Sequence, residues 1–176
     1  MLMQLGPIRH RYTAKERAQK QGIGHYVYPR FTKLVDLNPS EGKNPSDYYR
    51  LIMQSELRNM QVVSDTIDCV KRGRTPVIMT KYKEHAQKLY DMLQGSADHV
   101  FLLQGGKSLK ERSAIREQMA AVRADESIIL VAIGQYVGEG FNYPRLDTML
   151  LAMPISLEGN VEQHAGRLNR DYEGKK

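Results

Sequence analysis

After Gly73 the chain alternates short, continuously apolar runs with amphipathic segments of helix length, and few architectures accommodate that pattern. TPVIMT, HVFLLQ, SIILVAI and LDTMLLAMP read as strands, while KEHAQKLYDMLQ, SLKERSAIREQMAAV and NVEQHAGRLNR read as helices. A strand that is apolar throughout must be covered on both faces. Parallel strands joined by right-handed helical crossovers provide that cover, so the expected fold is a three-layer α/β/α domain around a mainly parallel sheet. In such sheets ligands gather beyond the carboxyl ends of the strands.

The region before Gly73 behaves differently. From Pro45 to Arg72 the apolar positions Tyr49, Met53, Met60, Val63, Ile67 and Val70 recur at helical spacing, which predicts a long helix broken at most once, with Ser46 as N-cap and Gly73 as the stop. Residues 1–45 lack steady periodicity and carry GP, YP, NP and EGKNP punctuation; they read as a connecting arm with a short helix near Thr13 to Gln21. Seven Lys/Arg between Arg9 and Lys33, against Glu16 alone, account for the whole net charge of +6. Such an arm suits nucleic acid phosphate, and equally suits a solvated connector. The expected organisation is a basic arm over 1–45 followed by a domain over 46–176. The charged EGKK tail, which ends the sequence six residues after Arg170 with no further strand, reads as a domain cut short.

Several chemistries are excluded. Cys69 is the only cysteine, so no internal disulfide forms, and its place in a helical pattern argues against a redox role. The longest strongly apolar run, Ile128 to Ile133, is far short of the ~20 residues of a membrane span, and the N-terminus puts apolar residues before charged ones, inverting a secretory signal. A cytoplasmic location is expected. His10, His25, His85, His99 and His164 show no metal-ligand spacing, and no metal site is expected. No nucleophile elbow or Cys/His pair occurs, which removes a small-molecule enzyme on a doubly wound sheet from contention. Gly106, Lys107 and Ser108 imitate the end of a P-loop, but the position that needs its first glycine is Phe101, inside a strand. Gly105 and Gly106 therefore read as a strand-to-helix turn capped by Ser108, with Lys107 left near the binding edge.

Two segments remain. The loop from Gly134 to Arg145 follows a buried strand directly, carries Gly134, Gly138 and Gly140, and leaves through Tyr143 and Pro144, so its backbone can approach a ligand and its exit is stiff. In the helix from Asn160 to Arg170, Val161, Ala165 and Leu168 share one face. Gln163, Gly166, Arg167 and Arg170 lie on the opposite face, where paired guanidinium groups beside a glycine suit a phosphate. Alone, the loop is an ordinary glycine turn and the helix a capped, solvated one; together they define a nucleotide-responsive site.

That combination resembles the C-terminal, second RecA-like domain of superfamily 2 helicases, the DEAD/DEAH-type group of nucleic-acid-dependent ATPases built on the P-loop NTPase fold. The resemblance runs from Arg74 to Arg170. TPVIMTKYKEHAQKLYDML is similar to motif IV, VAIGQYVGEGFNYPRLDTMLLAMP to motif V with its following strand, and EQHAGRLNR to the Q-x-x-G-R-x-x-R of motif VI. GEGFNYP is closest in flavour to the restriction-enzyme and phage-defence helicases.

The resemblance implies that Arg167 and Arg170 act as arginine fingers on ATP held by a first RecA-like domain in cis, with Gln163 positioning the attacking water or the phosphate. It places Gly138, Glu139, Gly140, Asn142 and Gly166 at the nucleotide, Gly140 and Asn142 near its sugar. Thr80, Lys81, Gly105, Lys107, Gly134 and Gln135 would face the nucleic acid, with DNA the expected strand. ATP with Mg²⁺ is the implied cofactor, held mainly by the first domain. Ile133 stands where motif V usually has a phosphate-contacting threonine, and Asn142 where it usually has aspartate, so coupling between strand and nucleotide departs from the family pattern. The chain carries neither a Walker A lysine motif nor a D-E-x-D/H run, and it is not expected to hydrolyse ATP alone. The expected function is the C-terminal motor domain of an ATP-dependent helicase or translocase; the alternative is a non-catalytic nucleic-acid-binding module on a degenerate helicase fold.

Overall fold

The computed structural model describes residues 26–32, 44–105, 109–133 and 143–154. The chain divides into Met1–Arg30 and Phe31–Lys176, and the elements below belong to the second unit. The predicted helix near Thr13 to Gln21, the Ser108 cap, the loop over 134–142 and the helix from Asn160 to Arg170 lie outside the described residues.

Two helices precede the sheet, α1 (Pro45–Gln54) and α2 (Glu56–Lys71). Asn44, not Ser46, caps α1: its side chain accepts from the Ser46 and Asp47 N–H groups, and the Asp47 carboxylate accepts from the Asn44 N–H in return. The reciprocal box satisfies two groups that helix geometry leaves open, and Pro45 at the first position has no N–H to satisfy. The predicted long helix is broken at Ser55, whose extended backbone (φ −67°, ψ 102°) ends one helix and starts the next. At its far end α2 stops as expected at Gly73 (φ 69°). The Gly73 and Arg74 N–H groups return to the Val70 and Cys69 carbonyls at 2.8 and 3.0 Å, the closing bonds of a Schellman turn.

The strands are β1 (Pro76–Thr80), β2 (His99–Leu103), β3 (Ile128–Ile133) and β4 (Thr148–Leu151), all parallel, in the order β2-β3-β1-β4. Helices α3 (Lys83–Met92) and α4 (Leu109–Ala121) connect β1 to β2 and β2 to β3. The first connection steps outward past β3 and the second steps back, so right-handed crossovers must put the two helices on opposite faces. They do. Ala86 and Leu89 of α3 pack with Ile78, Leu102, Ile129 and Val131, and α2 joins that face through Val62, Val63, Ile67 and Val70. Ile115 and Met119 of α4 pack with Val77, Met79, Leu103, Leu130 and Ala132 on the other. Continuous apolar strands follow from this double cover: every residue of β1 and of β3 is buried.

Side chains tie the ends of the sheet. The Asp98 carboxylate, just before β2, accepts from the Ser127 N–H and hydroxyl, both at 2.7 Å, while the Ser127 hydroxyl accepts from the Asp98 N–H at 3.0 Å. Asp147 accepts from the Thr75 N–H at 3.1 Å and returns its own N–H to the Thr75 carbonyl at 3.3 Å, setting the register of β4 on β1. Among the described residues no helix is long and apolar enough to cross a membrane.

Candidate functional site at the carboxyl edge of the sheet

Because all four strands are parallel, Thr80, Leu103, Ile133 and Leu151 end at one edge. Thr80 is in register with Ile133, so the motif IV turn and the start of the motif V loop leave adjacent strands side by side. Lys81 and Gly105 follow β1 and β2 at the same edge, Lys81 exposed and Gly105 buried. Of the remaining predicted site residues, Lys107, Gly134, Gln135, Gly138, Glu139, Gly140, Asn142, Gln163, Gly166, Arg167 and Arg170 lie outside the described residues.

Thr80 turns its side chain inward. Its hydroxyl lies 2.8 Å from His85 Nδ1, and His85 Nε2 lies 3.0 Å from Asn59 Oδ1. Asn59 Nδ2 donates to the Met53 carbonyl at 2.9 Å. That last bond orients the amide, and the orientation fixes the tautomer: Asn59 Oδ1 accepts from an Nε2–H, leaving Nδ1 to accept from the Thr80 hydroxyl. The Met53 carbonyl belongs to the last turn of α1, where helix geometry supplies no donor, so Asn59 fills a vacancy created by the break at Ser55. Asn59, Thr80 and His85 are all buried. Burial pushes the His85 imidazole down to about 4, with the Arg58 and Lys88 charges acting the same way.

Arg58 ties the neighbouring strand, donating through a guanidinium N–H to the carbonyl of Ala152 just after β4. Burial lowers its pKa. The α1–α2 joint therefore grips the ends of both β1 and β4.

Lys81 stands over aromatic rings, its ammonium 4.3 Å from the centroid of Tyr49 and 5.8 Å from that of Tyr82. Tyr82 precedes α3 without a side-chain cap to its first turn. Sequence reasoning singled out Thr80 and Lys81 but missed Tyr49, Asn59, Tyr82 and His85. The one available signal was a histidine five residues after Thr80; Asn59 is 26 residues from His85 and gives none.

The exit of the motif V loop is held as well. Tyr143 donates its hydroxyl to the Met119 carbonyl at 3.0 Å. Arg145 donates to the carbonyls of Arg123 at 2.9 Å and Ala124 at 3.2 Å, and to that of Glu126. The stiffness expected from Pro144 is thus reinforced by bonds to the end of α4. Ile133, at the loop's entry, is 7% exposed and packs in the cluster shared with α2 and α3.

No family model matches the chain. Over 154 residues, 82% of its length, it is 27% identical to transcript termination protein A18 of fowlpox virus (strain NVSL), of which it covers 32%. Over 134 residues it is 25% identical to the A18 protein of myxoma virus (strain Lausanne), covering 73% of this chain and 27% of that one. The chain thus spans about a third or less of the length of these relatives. Among solved structures, T4 UvsW superposes with a TM-score of 0.59 at 19% identity, over 73% of this chain and 25% of that one. The C-terminal part of the Fun30 ATPase domain superposes with a TM-score of 0.53 at 17% identity, over 74% of this chain and 42% of that one. With its parallel sheet, flanking helices and these likenesses, the chain has the RecA-like fold of a C-terminal superfamily 2 helicase domain.

Proposed function

We propose that the chain is the C-terminal motor domain of an ATP-dependent nucleic-acid translocase or helicase, working against a first RecA-like domain in cis. The observation that carries the reading is the register of Thr80 with Ile133, which brings the motif IV turn and the start of the motif V loop together at the carboxyl edge of a RecA-like sheet. Lys81 and Gly105 contact the strand from that edge, with Lys107, Gly134 and Gln135 completing the contact. Arg167 and Arg170 stabilise charge on the transferred phosphoryl group and Gln163 positions the water, while Gly138, Glu139, Gly140, Asn142 and Gly166 face the nucleotide. When bound, MgATP supplies the free energy that closes and reopens the cleft between domains. DNA is the strand assigned first; RNA stands beside it because the viral relatives are named for transcript termination.

The deciding experiment is steady-state ATPase of the protein carrying both domains, with and without single-stranded DNA or RNA, in wild type and Arg167→Ala. Strand-stimulated turnover should fall about 10³-fold or more in the variant with little change in the KM for ATP, because a transition-state contact is lost. Turnover unchanged by the substitution would sink the arginine-finger role.

Ile133 favours a second reading. Its hydrocarbon side chain is buried where the family pattern has a hydroxyl, which suits a module that binds nucleic acid without coupling to ATP. Strand binding without stimulated hydrolysis would select it.

A further inference from the structure

We infer that Tyr49 and Tyr82 form, with Lys81, a base-stacking site for single-stranded nucleic acid at the carboxyl end of β1. The inference deepens the proposed function and rests on it. The two rings are 5.9 Å apart and inclined at 58°, with the exposed Lys81 ammonium over both. Both tyrosines are half-buried, so each ring is anchored on the protein while part of it faces solvent. On the same helix Tyr48 is 51% exposed and Arg50 is exposed as well.

The setting of α1 separates this arrangement from ordinary packing. Its N-terminus carries a complete capping box and its C-terminus is satisfied by Asn59, yet none of its side chains is fully buried. The helix is held in place without contributing to the core, and what it presents at the edge is an aromatic pair beside a cation. Aromatic rings interleaved with positive charge are the elements of sequence-tolerant single-strand binding, because every base has a π-face and every nucleotide a phosphate.

In the unbound protein the ammonium of Lys81 rests on the Tyr49 ring, a contact that is weak at an exposed site. A phosphate offers the ammonium a full opposite charge, and a base offers the vacated ring a larger stacking surface. The incoming strand therefore exchanges one weak contact for two stronger ones. Planes inclined at 58° suit two successive bases splayed apart, one on each ring, and not a single base held between them.

The chain has ten tyrosines and no tryptophan, so its intrinsic emission reports directly on tyrosine stacking. The 176-residue chain is titrated with oligothymidylate, oligouridylate and an abasic oligomer of equal length, following tyrosine quenching and the anisotropy of labelled strand. Base-bearing strands should quench and bind. Tyr49→Leu and Tyr82→Leu should each weaken that binding about fivefold to a hundredfold, Tyr49→Phe about twofold or less, and the abasic oligomer should bind wild type no better than base-bearing strands bind the leucine variants. Cooperative urea melting of each variant, with Tyr49→Phe as the ring-preserving partner, separates lost stacking from lost fold. Equal affinity for abasic and base-bearing strands, or wild-type affinity in Tyr49→Leu, would overturn the stacking site. If Lys81→Ala then abolishes binding, the edge grips phosphate alone and the proposed function stands; if no oligomer binds, both fall.

Discussion

His85 Nδ1 lies 2.8 Å from the hydroxyl of Thr80, in a buried pair that joins the last residue of β1 to the first turn of α3. The imidazole is neutral there, and its low pKa of about 4 makes the fold sensitive to acid. In the unfolded chain a histidine titrates near ~6.5, so between the two values the unfolded state binds the extra proton. Stability should be fully present above about pH 6.5 and decline as pH falls towards 4, by an amount of order 3 kcal/mol. Urea unfolding across that range reads the slope, and His85→Gln should flatten it. Asp98 and Glu126 act in the same direction at lower pH. N–H donation from Ser127 and from Arg123 holds their carboxyls below the usual range, so their contribution fades as those carboxyls protonate.

Asn59→Ala strips the donor from the Met53 carbonyl and the acceptor from His85 Nε2 in one step. Leaving buried polar groups unpaired costs about 1 to 3 kcal/mol each, so a loss of roughly 2 to 4 kcal/mol is expected in urea unfolding. Asn59→Asp keeps the acceptor and removes the donor, and should fall between the two.

Gly95 follows α3 at φ +77°, and a Cβ built there meets nothing within 4 Å. Any cost of Gly95→Ala is therefore backbone strain and not a clash. A loss of about 1 to 2 kcal/mol is expected, and Gly95→Asn should recover part of it because asparagine tolerates the left-handed region. A neutral alanine variant would mean that the turn relaxes.

Arg145 and Arg123 are both surface arginines with different expected effects. Arg145 bonds three backbone carbonyls at the end of α4, whereas Arg123 pairs at 2.9 Å with Asp125, both side chains being well exposed. Arg145→Ala should cost about 1.5 to 3 kcal/mol, and Arg123→Ala about 0.5 kcal/mol or less. Thermal or urea melts of the two variants, side by side, give the comparison.

The strands were legible because double-sided burial writes itself as unbroken apolar sequence. TPVIMT, HVFLLQ, SIILVAI and LDTMLLAMP each contain the strand observed. Strand order was not legible, since β3 sits between β1 and β2 through crossovers that composition does not encode. Asn44 was passed over for Ser46 because either side chain can cap, and the Asp47 carboxylate three residues after Asn44 decides the choice. At the edge, Lys81 was legible from its place after an apolar strand. The tyrosines beside it and the Asn59–His85–Thr80 chain arise from contacts between α1, α2 and the β1–α3 turn, which only the tertiary fold brings together.

β3 is bonded on both sides, to β1 and β2, and its residues from Ile128 to Ala132 are wholly inaccessible to solvent. Its amides have no local opening by which to meet deuterium, so exchange at Leu130 and Val131 requires the whole sheet to come apart. Their protection measures the global free energy of the domain. The chain continues from that slowest-exchanging strand directly into Gly134, so any motion of the following loop is referred to the least yielding point of the fold.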